Sequence, residues 1–314
     1  MIYAAKNQVI GAYFGNKKVL KMYLGDVQVY ASKVPVIVTI DGVETTTTMG
    51  SGEPLSITLS PSVGRQIMPW TVVVTMDDVD ITATAYDKTT NTVSIASLEA
   101  VVEITAESVE MSADYAPVEY ISVASRQAGN TLWIDYWPNE KTKLVMDVEL
   151  TSGNNSLLFS NKGGISADAP NFQLCYQGSN SSRYNVGWGN TYSANLTADA
   201  GRIKKNARIT ATFDNGRFTY PNASGGTFDQ DYNNGETWQS DPNASPTRKL
   251  RFFGYNTSSA TGTAAGKIWR ITIYEGNSLM ADCVPCKRLS DGRAGLYDTV
   301  NEVYISATNY TYPS

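Results

Sequence analysis

Apolar residues in this chain alternate with Thr, Ser and Asn at a period of two, and turn dipeptides repeatedly break the alternation. A strand sends successive side chains to opposite faces, so such a pattern specifies half-buried β-structure. No stretch keeps a helical period over a helix length. The expected fold class is all-β. Tyr, 19 residues beside 6 Trp and 8 Phe, dominates the aromatics, which suits strands and decorated loops.

Residues 1–33 carry a ten-residue internal repeat: Tyr13-Phe14-Gly15-Asn16 realigns onto Tyr23-Leu24-Gly25-Asp26. Gly with Asn or Asp accepts the positive φ that tight turns need. This spacing predicts a three-stranded β-meander over 8–14, 17–24 and 27–31, turning at Gly15-Asn16 and Gly25-Asp26. Three short strands bury too little to stand alone. They must cap the next domain or dock into an assembly through their edges.

Residues 34–115 read as about seven short strands, the number and spacing of an immunoglobulin-like β-sandwich. Val34 to Ile40 runs into Asp41-Gly42, a strong hairpin signal. Trp70–Met76 and Val79–Tyr86 are expected to flank an acidic turn at Asp77-Asp78, and Val93, Ile95 and Ile104 to form a last hairpin. Asp77-Asp78-Val79-Asp80 lacks the Gly and distal Glu of a calcium loop and reads as a solvated turn. Residues 116–314 alternate throughout and carry five of the 6 Trp, which fits one large β-sandwich.

Histidine is absent, which removes His-based triads, His-ligated zinc and His general bases. Net charge is −5, so nucleic acid is not an expected partner. No apolar run approaches the ~20 residues of a membrane-spanning helix. The start, MIYAAKNQVIGAYFGNKK, lacks the basic and apolar regions of a secretory signal. Three cysteines, Cys175, Cys283 and Cys286, are too few for a disulfide-built fold. Cys283-Val284-Pro285-Cys286 has redox spacing without a redox context, and buried thiols are the favoured reading over a disulfide.

Glycoside hydrolysis needs carboxylates placed together on a cleft. Asp147 and Glu149 share a strand face, and Asp229 and Asp231 alternate in an expected Gly/Asn-rich loop, but no third acid completes a site. No enzyme is expected. The loops between 176 and 240 hold Tyr176, Tyr184, Trp188, Tyr192, Tyr232 and Trp238 among Asn, Ser and Gly. Aromatic faces stack on sugar rings while amides and carboxylates take hydroxyls, so these six are the expected glycan contacts.

Three resemblances extend this reading. Thr92-Val93-Ser94-Ile95 with Val102-Glu103-Ile104-Thr105-Ala106 resembles the closing strands of bacterial immunoglobulin-like modules of surface proteins and phage fibres. Leu132-Trp133-Ile134-Asp135-Tyr136-Trp137-Pro138-Asn139 resembles the opening of a concanavalin-A-like (LamG-type) jelly roll. So, more closely, do Gly266 to Gly276, Asp282-Cys283-Val284-Pro285-Cys286 and Gly295-Leu296-Tyr297-Asp298. That family's domains bind glycans or cleave them, and often hold Ca²⁺ at a loop rim; no oxygen cluster here places one, and no other cofactor is implied. The N-terminal repeat resembles the start of tail and fibre proteins of phages of gut Bacteroides-like bacteria. Together the resemblances imply a virion structural protein, a head fibre or tail-fibre-like appendage. It would be anchored to other virion proteins through 1–33, homo-oligomeric (as a trimer, by likeness to fibres), and would read host-surface or mucus glycans. A bacterial surface or secreted glycan-binding protein is the alternative, and a glycoside hydrolase a further one.

Overall fold

A computed structural model describes residues 2–5, 8–14, 17–18, 21–24, 27–124, 132–152, 156–160, 171–177, 183–189, 191–196, 203–231, 249–253 and 265–313. The described chain is nearly all strand, and it divides into two compact units, Met1–Glu110 and Met111–Ser314. Among the described residues no helix is long and apolar enough to cross a membrane.

The first unit begins with strands Ile2–Ala5, Gln8–Phe14, Lys17–Lys18, Lys21–Leu24 and Val27–Ala31. The expected 17–24 strand is split in two, and its halves belong to different sheets, one of three strands and one of two. The two expected turns lie outside the described residues. The sandwich follows. Its larger sheet runs, edge to edge, Val79–Asp80, Val73–Met76, Val102–Ala106, Lys33–Ile40 and Val43–Gly50. The smaller holds Tyr86–Asp87, Thr92–Ile95 and Leu55–Thr58. Val36, Val74 and Ile104 from one sheet and Leu55 and Val93 from the other fill a shared core.

Two expectations fail here. Thr92–Ile95 and Val102–Ala106 do not form a hairpin: the first pairs with Leu55–Thr58, while the second lies antiparallel to Val73–Met76 and parallel to Lys33–Ile40. Their apolar alternation is the same, but Leu98 between them is fully buried and carries the chain across the core. The Val79–Tyr86 stretch is likewise not one strand. It breaks after Asp80 into a short helix, Thr82–Ala85, because Thr82 N–H turns back to the Asp80 carboxylate at 2.8 Å. Pro69–Thr71 is a 3₁₀ turn ahead of the Val73–Met76 strand.

The second unit is a sandwich of two facing sheets. The main path of the larger runs Thr227–Asp231, Arg217–Pro221, Arg208–Asp214, Thr142–Ser152, Ala265–Glu275, Ser278–Arg288, Ala294–Asp298 and Val303–Ser306. The smaller runs Trp133–Ile134, Leu250–Phe252, Ser156–Ser160, Asn171–Gln177, Arg183–Gly189 and Thr191–Leu196. Aromatic rings join the layers: Phe159 meets Phe172 at 5.1 Å within the smaller sheet and Phe213 of the larger at 4.6 Å, and Phe213 meets Phe218 at 4.7 Å. Such tilted and edge-on contacts add to the area these side chains bury.

Candidate functional site

A polar cleft of the second unit lies where the outer strand of the smaller sheet meets the Val303–Ser306 end of the larger one. The segment Trp133 to Tyr136 builds one wall. Leu132, Ile134 and Tyr136 are buried in the core, so Trp133, Asp135 and Trp137 fall on the other side of the chain. Trp137 keeps 47% of its surface in solvent. The neighbouring strand supplies cations in register: Trp133 stands opposite Arg251. The Arg251 guanidinium lies 5.0 Å from the Trp133 ring centre, and Lys249 Nζ lies 5.2 Å from that of Trp137. Lys249 also reaches Asp135 at 2.9 Å. Cations over indole faces orient both partners.

The cleft encloses about 620 Å³, with Trp133, Asp135 and Lys249 facing Met280, Asn301 and Tyr304. The opposite wall is held by Asp298, which is 2% exposed. Its carboxylate accepts the backbone N–H of Asp282 at 3.2 Å and of Val300 at 3.0 Å, and the Asn301 amide at 2.7 Å. Asn301 Nδ2 also donates to the Met280 carbonyl at 2.8 Å. Both amide hydrogens are thereby engaged, and Oδ1 is left to accept from a ligand hydroxyl. The wall thus offers an indole, a carboxylate, an amide oxygen and an ammonium on a fixed frame, the polar complement of a hydroxyl-rich ring.

The structure redistributes the residues expected from sequence. Tyr176, Tyr184, Trp188 and Tyr192 are on strands, not loops, and Tyr176 is paired in register with Tyr184. Trp188 is a core residue, 2% exposed and edge-on to Phe172 at 5.9 Å, so it is not a ligand contact. Tyr232 and Trp238 lie outside the described residues. Trp133 and Asp135, which line the cleft, were not among the expected contacts. Their signal was present: outward positions two apart, flanked by the buried Leu132, Ile134 and Tyr136.

Of the carboxylates weighed for catalysis, Asp147, Glu149 and Asp229 are tied to cations on the outer face of the larger sheet. Asp147 takes both donors of Arg208, with Nε at 2.9 Å from Oδ1, and Glu149 takes Lys267 at 3.1 Å. Asp229 and Asp231 lie on the Thr227–Asp231 strand rather than in a loop, and Asp229 receives Arg217 at 2.7 and 2.6 Å. Trp269 on the same sheet is clamped by Arg208 at 4.9 Å and Tyr120 at 5.2 Å. Among the described residues no three Cys, Asp or Glu side chains converge to hold a metal ion. Cys283 and Cys286 are both buried free thiols. Three residues apart on one strand, they face opposite sides, which a disulfide between them could not span.

No known family model matches the sequence, and no curated protein matches it. Among solved structures the chain is similar to a "putative carbohydrate binding protein" from Bacteroides ovatus. Identity is 9%, the match covers 90% of this chain and 96% of that one, and the TM-score is 0.39.

Proposed function

We infer that this chain is a non-enzymatic glycan-binding protein that reads sugars at the rim cleft of its second unit. The observation that carries the reading is the Trp133 and Asp135 wall, with Lys249 beside it, facing Asn301 across the cleft. An indole face stacks on the apolar face of a sugar ring, while Asp135 and Asn301 Oδ1 accept hydroxyl protons and Lys249 donates. Preset side chains limit the ordering cost of binding, and one small cleft gives modest affinity that several copies would multiply. A glycan array followed by titration calorimetry tests this. Wild-type chain is expected to bind at least one oligosaccharide class, and Trp133→Ala to weaken it at least ~10-fold, as loss of a stacking aromatic does. Absence of glycan binding across a broad array would reject the reading.

We propose further that the protein is a virion appendage of a phage, with residues 1–33 docking onto other virion proteins. The support is the sequence likeness of the N-terminal repeat and the order of short strands, spacer sandwich and reader sandwich. Co-purification with virions, lost on deleting 1–33, is the expected result.

A further inference from the structure

The larger sheet of the first unit ends in two very different edges. One edge is Val79–Asp80, two residues long and following two acidic turn residues, which leaves little to pair with. The other is Val43–Gly50, eight residues long, with residues 43–48 all exposed. It contains no Lys and no Pro, and pairs with Lys33–Ile40 through eight successive residues without a bulge. Soluble proteins usually blunt an open edge by such devices, and an edge lacking them is a template for another strand.

Hairpin geometry says which groups are open. Ile40 and Val43 flank the two-residue Asp41-Gly42 turn, whose φ values are 51° and 78°. The residues closing such a turn form a hydrogen-bonded pair, and bonded pairs then alternate along the ladder. Val43, Thr45 and Thr47 therefore bond inward to the neighbouring strand, while Glu44, Thr46 and Thr48 present N–H and C=O to the free side. The stretch ends at Gly50, whose N–H is taken by the Glu53 carboxylate at 2.9 Å and whose C=O is taken by the Glu53 N–H at 3.1 Å.

We propose that this edge pairs with the same edge of a second copy, antiparallel, about a two-fold axis at Thr46. In that register Thr46 meets the partner subunit's Thr46, and Glu44 meets the partner's Thr48. Each open N–H and C=O of Glu44, Thr46 and Thr48 then finds a partner across the axis. Charge selects this arrangement. Glu44 is the only charged residue of the strand, and the antiparallel register holds the two copies' Glu44 about 14 Å apart at opposite ends, whereas in-register parallel pairing would set them about 5 Å apart. The centre is Thr on Thr, a favourable cross-strand pair. Two-fold pairing uses the same patch on both copies and closes, so it makes a dimer rather than a fibre.

Sedimentation velocity on the full chain tests this, run up to about 100 µM because a single strand pair is a small interface. Wild type is expected to dimerise. Thr46→Pro removes an outward N–H and the exposed Thr46 hydroxyl bond to Glu44 at 3.1 Å, losses an edge strand tolerates, and should abolish the dimer while the melting curve stays put. Thr46→Lys sets two ammonium groups together at the axis and should do the same, keeping the test sound if the proline variant misfolds. A wild-type chain that stays monomeric, leaving the edge to another protein's strand, would overturn the proposal. So would a wild-type trimer, or a dimer that persists in a folded Thr46 variant.

Discussion

Two side chains show how single positions carry the fold. A Cβ on Gly295 would come within 2.4 Å of the Tyr304 ring and 2.6 Å of the Ile305 carbonyl oxygen. The bare glycine lets Tyr304 lie across its strand and donate its hydroxyl to the Ala294 carbonyl at 2.9 Å. Because one obstacle is backbone, Gly295→Ala should cost about 1–3 kcal/mol, read as a lowered melting temperature. Asp41 accepts the Ser108 amide at 2.7 Å and the Ser108 hydroxyl, and lies 3.3 Å from Arg65. Burial alone would raise its pKa, but those hydrogen bonds and the Arg65 charge outweigh it and hold the carboxyl below its ordinary value. A depressed carboxyl stabilises the fold above its unfolded pKa and loses that contribution as pH falls through the folded one. Asp41→Asn keeps a residue that tolerates the left-handed turn and removes the charge together with one of the two oxygens that accept from Ser108. With the pair about one-third exposed, it should lose about 1 kcal/mol at pH 7, and the gap to wild type should close on acidification below about pH 4. The Gly295-Leu296-Tyr297-Asp298 stretch stood out in sequence as a family likeness. Its physical content, room for a ring and a carboxylate that fastens the cleft wall, comes only from partners far along the chain.

At the scale of elements, hairpin chemistry was the most legible signal. Asp41-Gly42 and Asp77-Asp78 both adopt positive φ at each central residue, the geometry that matches strand twist. Which strands pair beyond a hairpin was not legible, since period-two alternation fixes a face and not a neighbour. That is why Thr92–Ile95 and Val102–Ala106 look like one hairpin in sequence and occupy different sheets. The same limit displaced the aromatic site: Trp188 has the composition of a binding loop around it but lies on a strand's buried face. In the Ser278–Arg288 strand, burial pushes the Cys283 thiol well up and that of Cys286 up to about 12. Thiolate is the reactive form, so both should resist alkylation in the native protein. Peptide mass mapping should find them unmodified at neutral pH and modified after unfolding in urea; rapid native labelling would show that the strand opens.

For the whole molecule, the all-β class and the existence of a large second sandwich followed from alternation and length, while the glycan reading depends on one cleft that only the assembled sheets create. On this account the protein binds sugar without turning it over. Asp147 and Glu149, each tied to a cation, should release no reducing sugar from any polysaccharide, and turnover lost in Asp147→Asn or Glu149→Gln would contradict that. The central claim is most directly tested by calorimetric titration of full-length wild type and the Trp133→Ala and Asp135→Asn variants with the best oligosaccharide from an array. The account predicts measurable wild-type binding, weakened at least ~10-fold in Trp133→Ala and to a lesser degree in Asp135→Asn, with both variants folded by their melting curves. Wild-type binding that both folded variants retain in full would place the sugar elsewhere and contradict the account.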